Sequence, residues 1–147
     1  MRETTLQKLR HHCDTVPAKL RAYSEEEFSR KPAPDTWSKK ETLGHLIDSA
    51  TNNHQRFVRI QFEDTPAIFY EQNEWNKHSY YAVMPGAHVI AFWEIYNRHL
   101  IEIVKAIPEP LLERTSETHD SQIVTLGWLI DDYLRHMEHH LGQLLKD

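Results

Sequence analysis

Two histidines near the end of the chain, His136 and His140, stand four residues apart in the run Asp132-Tyr-Leu-Arg-His-Met-Glu-His-His-Leu-Gly-Gln143. On a helix this spacing projects both imidazoles from one side, about one turn apart, so that both can reach a common point. That is metal-ligand spacing, and a lone upstream histidine, His45, can be matched with the pair. Eleven histidines in 147 residues are an excess that favours metal binding without naming the ligands.

Helix geometry sorts the candidates. At about 100° per residue, His136 and His140 fall on the shoulder of an apolar stripe, beside Leu129 and Tyr133, and His139 falls opposite it. An isolated His-x-x-x-His of this kind is more often two boundary histidines bonded to neighbours than a metal site. For His45, the apolar side of its helix is Leu43, Leu46, Ile47, Ala50 and Phe57. His45 points away from that side, on a face shared with Glu41, Asp48, Asn52 and Arg56. Periodicity makes it a surface residue. The competing reading has this polar face lining a cleft against the last helix, with Asp48 and Asn52 contacting ligands or substrate. Composition does not choose between the two.

The elements that must position these groups read as helical almost throughout. Leu6, Leu9, Cys13, Val16 and Leu20 mark a first helix, with Pro17 expected to kink it or to begin its second part. Ser24-Glu-Glu-Glu27 has the capping-box pattern of a short extra turn. Ser38, with Glu41 three residues on and Trp37 before it as a hydrophobic staple, starts a second helix running from about Lys39 to about Phe62. Residues 63 to 85 are irregular and aromatic, bounded by Pro66 and Pro85, and read as a long crossover with a helical turn around Glu71 to Lys77. Val89, Phe92, Trp93, Tyr96, Leu100, Ile103 and Ile107 form a third helix, stopped by Pro108 and Pro110. Ile123, Leu126, Ile130, Leu134, Met137, Leu141 and Leu144 form a fourth. With no alternating-strand segment and only 4 glycines, the pattern is all-α: one four-helix-bundle domain over residues 1–147, with the long crossover between helices two and three.

Composition narrows the classes further. A net charge of −5, with 17 basic residues scattered among 22 acidic ones, offers no basic stripe for a phosphate backbone, so nucleic acid is not an expected partner. A single cysteine and an N-terminus without an apolar core predict a reducing, cytoplasmic setting, and no run of about 18 apolar residues predicts a membrane span. Cys13 sits at a core position and reads as a small apolar residue rather than a nucleophile. Trp93 and Trp128 read as core or interface, and Trp75 is the aromatic best placed for the mouth of a pocket. Glu-x-x-His, His-Glu-x-x-His, the Gly-x-Ser-x-Gly elbow and the phosphate-binding glycine loop are all absent, which removes the di-iron, zincin, serine-hydrolase and P-loop readings.

Three segments together resemble a known family. Trp37-Ser-Lys-Lys-Glu41-Thr-Leu-Gly-His45-Leu-Ile-Asp48, followed by Asn52 and Arg56, is similar to the second-helix signature of the DinB/YfiT-like superfamily. His136-Met-Glu-His-His140-Leu-Gly-Gln143 resembles its C-terminal signature, and Tyr70-Glu-Gln-Asn-Glu-Trp75 resembles the segment between helices two and three. The resemblance covers nearly the whole chain in order, and it implies a four-helix bundle whose two inner helices are parallel. It also implies a metal site at His45, His136 and His140, beside which Asp48, Asn52, Trp75 and Gln143 are the candidates for outer or substrate-contacting positions.

Three neutral imidazoles suit one divalent ion such as Zn, Ni, Fe or Mn and leave positions open for water or substrate. The resemblance implies two enzymatic uses of such a site: a metal-dependent hydrolase, or a transferase of a low-molecular-weight thiol, in either case acting on a small-molecule substrate. The alternative is a non-catalytic metal-binding or interaction bundle of stress-response type. Pairing through helices occurs among such proteins, and the surplus aromatics allow a homodimer.

Overall fold

The computed structural model describes residues 2–146. In chain order its helices are α1 (Arg2–Arg21), α2 (Glu25–Ser29), α3 (Lys39–Arg59), α4 (Gln72–Ser79), α5 (Gly86–Ala106) and α6 (Leu126–Leu144). A hairpin of β1 (Thr115–Glu117) and β2 (Ile123–Thr125) stands between α5 and α6. The four long helices α1, α3, α5 and α6 are the expected bundle.

Local chemistry sets the helix starts. Ser24 and Ser38 each close a full capping box, with Glu27 and Glu41 returning a carboxylate to the cap N–H. Thr125 caps α6 by accepting from the Trp128 N–H at 3.0 Å. Helix α1 continues through Pro17 as one helix, so no second part begins there. Proline removes the N–H that the Cys13 carbonyl would have accepted, and Arg98 Nη2 donates to that carbonyl instead, at 3.2 Å.

Side-chain contacts give the helix directions. Arg2 Nη1 donates to Ile107 O at 2.5 Å and Arg98 reaches Cys13, so α1 and α5 are antiparallel. Thr5 Oγ1 donates to Asp131 Oδ1 at 2.6 Å and His12 pairs with Glu138 at 2.8 Å, so α1 and α6 are parallel. Lys39 Nζ donates to Leu144 O at 2.9 Å while Phe57 packs edge-on against Tyr133, so α3 and α6 are antiparallel. Lys40 Nζ donates to Met84 O at 2.7 Å and His54 Nδ1 meets Tyr96 Oη at 2.8 Å, so α3 and α5 run parallel. Two parallel neighbours cannot be joined by a tight turn. The chain must travel back the length of a helix, and the segment between α3 and α5 carries it.

One continuous core fills the bundle, with Trp93, Phe57, Leu43, Leu46, Leu100, Leu126 and Ile130 almost wholly enclosed. The hairpin corrects the expectation of no strand. Thr115 pairs with Thr125 and Glu117 with Ile123, so Ile123 lies on a strand and not on the last helix, where it is 60% exposed. Strands of three residues are too short to show alternation. The hairpin is tied to the crossover: Ser116 Oγ donates to Pro66 O at 2.6 Å, and Arg114 donates to Ile60 O and Glu63 O at 2.7 and 2.8 Å. The second helix also ends earlier than its pattern suggests, at Arg59, leaving Phe62 in the following turn and 69% exposed.

Candidate metal centre

Because α3 and α6 are antiparallel neighbours, the first half of α3 faces the last half of α6. His45 from α3 meets His136 and His140 from α6, and one nitrogen of each ring lies within 4.8 Å of the others. His45 Nε2 and His136 Nε2 face each other at 3.1 Å. His45 is 1% exposed, whereas His136 and His140 are half-buried, so the cluster is closed behind His45 and open on the α6 side.

The electrostatics keep all three rings neutral. Burial, with the neighbouring His136 and His140, pushes the His45 pKa down to about 3. Burial and His140 push His136 down to about 4, with Asp132 opposing. Burial also lowers His140, against the opposing hydrogen bond from Gln143. Neutral imidazoles are the form that donates a lone pair to a metal.

Of the remaining candidates only Gln143 touches a histidine of the cluster among the described residues. Gln143 Oε1 stands 3.1 Å from His140 Nδ1, where it can accept that N–H and leave Nε2 with a free lone pair. Asp48 is 2% exposed; it accepts from Tyr81 Oη at 2.6 Å through Oδ1, and its Oδ2 has no partner among the described residues. Burial raises the Asp48 pKa to about 6, against the Tyr81 hydrogen bond. Asn52 donates to Asp48 O, one turn back in its own helix, at 2.9 Å. Trp75, on α4, packs edge-on against Tyr70, with ring centroids 5.7 Å apart. His139 is exposed.

Two groups near the site went unassigned in the sequence. Trp37, read as a staple, places its ring 4.9 Å from the His45 ring and lines a cavity of about 580 Å³ together with Gln143, Thr42 and Lys39. Tyr81 reaches Asp48 only because Gly44 has no side chain: a Cβ there would fall 2.2 Å from Tyr81 Cδ2. Glycine between Leu43 and His45 was the available signal.

The donor set fits a divalent ion. Two imidazole nitrogens held about 2.0–2.1 Å from one tetrahedral ion stand about 3.4 Å apart, near the His45–His136 separation of 3.1 Å. His45 Nε2 is aimed at the cluster from a buried position, and its Nδ1 has no partner among the described residues. No carboxylate belongs to the group among the described residues.

A sequence model of the DinB superfamily matches residues 3–144. The chain belongs to the DinB superfamily. Within it, the sequence is 26% identical over 135 residues to a "putative metal-dependent hydrolase" of Halalkalibacterium halodurans, covering 88% of this chain and 78% of that protein. It is 23% identical over 138 residues to YfiT of Bacillus subtilis, which carries the same description, covering 89% and 77%. The fold superposes on the YfiT structure, described as having an unusual four-helix bundle topology, with a TM-score of 0.83 at 21% identity over 97% of this chain and 83% of that one. It also superposes on a mutant of mycothiol-dependent maleylpyruvate isomerase, with a TM-score of 0.77 at 14% identity. There the match covers 96% of this chain and 60% of the isomerase. The parallel α3–α5 pair and the long crossover are thus part of a fold that this chain shares with the YfiT structure.

Proposed function

We propose that His45, His136 and His140 hold one divalent metal ion and that the chain is a metal-dependent enzyme acting on a small molecule. The observation that carries this reading is the convergence of three neutral imidazoles, one fully enclosed and two half-exposed, from helices that are far apart in sequence. A divalent ion held by three uncharged ligands keeps its full charge and supplies Lewis acidity, favouring loss of a proton from a water or a thiol.

The chain's own residues do the rest. Gln143 orients His140, Trp37 packs on the His45 ring, and the wall formed by α3 shuts water out from behind. Asp48 lies one turn beyond His45 on the same helix and carries an unpartnered oxygen, so it is the nearest carboxylate along α3 able to take up a proton near neutral pH. The names of the Halalkalibacterium and Bacillus relatives favour hydrolysis. The mycothiol-dependent isomerase favours a low-molecular-weight thiol as co-substrate.

Elemental analysis of protein purified without an affinity tag, beside His140→Ala, tests the reading. Stoichiometric metal in the wild type that disappears in the variant is expected. Equal metal in both, or none in either after metal-replete expression, defeats it. Turnover of an electrophilic acceptor that depends on an added small thiol selects the transferase branch, and turnover of an ester or amide without thiol selects hydrolysis.

A further inference from the structure

A second polar pocket lies along the same α3–α6 seam, beyond the histidines. It has a volume of about 310 Å³ and is lined by Arg56, Phe69, Trp128 and Asp132, with Glu117 and Asp120 from the hairpin end. That volume is in the range of small-molecule sites. Asp132 is one turn before His136 on α6, so the pocket and the histidine cluster open along one helix face. Rise per residue puts Asp132 about 6 Å before His136 and about 12 Å before His140 along α6, and Arg56 about 16 Å beyond His45 along α3.

Arg56 is the unusual member. Its hydrogen bonds among the described residues are to Asn53 Oδ1 at 3.3 Å and to Ile68 O at 2.5 Å, and neither partner is charged. A partly buried guanidinium has five N–H donors in a planar fork suited to a carboxylate, and these two bonds leave part of the fork unused. A plain anion is a poor match, however, because Glu117, Asp120 and Asp132 share the lining with Arg56, Asp132 meeting its only hydrogen-bonded cation among the described residues, Arg135 Nη2, at a long 3.4 Å through Oδ1. Phe69, 52% exposed, and the side of the Trp128 ring, 45% exposed, that the Arg135 guanidinium does not cover offer contact for an apolar stem.

We propose that this pocket binds the α-amino acid end of a small-molecule substrate, Arg56 taking its carboxylate and Asp132 its ammonium group. That this end belongs to the substrate of the histidine site rests on the metal-dependent reading above; the pocket's preference for a zwitterion does not. The spacing then describes a substrate with its reactive group roughly 10 Å from its amino acid end, the reach of about three extended residues.

Three probes with one carbon skeleton isolate the end groups: norleucine has both charges, hexanoate only the carboxylate and pentylamine only the ammonium. None carries a thiol. Binding is read from the Trp128 indole resonance on titration of the wild type, Arg56→Lys and Asp132→Asn, with circular dichroism checking the fold. Norleucine is expected to bind about tenfold or more tightly than either single-charge probe, as charge-assisted hydrogen bonds to both ends require. Arg56→Lys keeps the charge and loses the fork, and weakens norleucine about tenfold. Asp132→Asn, at a half-exposed surface position, abolishes the preference for norleucine over hexanoate. Equal binding of all three probes, no shift of the Trp128 signal, or an unaltered preference in Asp132→Asn overturns the proposal. Metal content measured on the same samples bears on the histidine site alone, so either reading can fail without the other.

Discussion

His45 Nε2 lies 3.1 Å from His136 Nε2, although 91 residues separate them in the chain. Close packing of two imidazoles in a buried place has a cost if either is protonated, and this cost appears as a dependence of stability on pH.

In the metal-free protein the folded-state pKa values of His45 and His136 fall to about 3 and about 4, from an ordinary 6.5. Between those limits the unfolded chain binds protons that the folded chain does not, so stability is complete above about pH 6.5 and declines as pH drops. Asp48 works in the opposite direction. Its folded-state value is raised to about 6 from 3.8, so its contribution is complete below about pH 3.8 and is lost as pH rises through about 6. Two histidines outweigh one carboxylate, so the urea midpoint should fall from pH 7 to pH 5. Asp48→Asn, which removes the offset, should make that fall steeper. A midpoint that is flat or rises on acidification contradicts the neutral cluster.

The signals legible in the sequence were local ones. Capping boxes at Ser24 and Ser38, the proline stops and the apolar stripes located every long helix, because each depends on residues within one or two turns. The pair His136 and His140 was legible for the same reason. His45 was not. A helical wheel assumes one buried face, yet α3 is packed by α5, α6, α4 and the Tyr81 turn together, so Asp48, Asn52 and His45 are enclosed as fully as Leu46. Tertiary context of that kind has no periodicity of its own, and the motif resemblance supplied what the wheel could not. Trp37 was read for its role at the helix start, and the same geometry that staples the entry also lays its ring on His45.

Gln143 offers a way to weaken the proposed metal site without removing a proposed ligand. Its side-chain oxygen faces His140 Nδ1, and such outer hydrogen bonds fix the ring's tautomer and orientation. Gln143→Leu should lower metal affinity about 10–100-fold, measured by competition with a chromophoric chelator. The residue is exposed, so the stability of the metal-free protein should change by no more than about 0.5 kcal/mol. Gln143→Glu, which keeps an acceptor in place, should retain the affinity. Unchanged affinity in Gln143→Leu removes this residue from the site.

Gly44, Tyr81 and Asp48 should behave as one unit. Tyr81→Phe deletes the donor to Asp48 Oδ1 and leaves a carboxylate that is 2% exposed without that partner, at a cost of about 1–3 kcal/mol. Gly44→Ala drives a methyl group to 2.2 Å from Tyr81 Cδ2, so the ring must move and the same hydrogen bond is lost along with its packing. An added overpacking cost of about 1–3 kcal/mol exceeds the roughly 1 kcal/mol that alanine returns in helix propensity, so Gly44→Ala should be the more damaging change. Once the ring has been displaced, deleting its hydroxyl has little left to remove. The double variant should therefore be distinctly less destabilised than the sum of the two single variants, as residues sharing one contact require. Urea unfolding of the four proteins measures the coupling directly, and strictly additive losses would show that Tyr81 reaches Asp48 without depending on the bare backbone at Gly44.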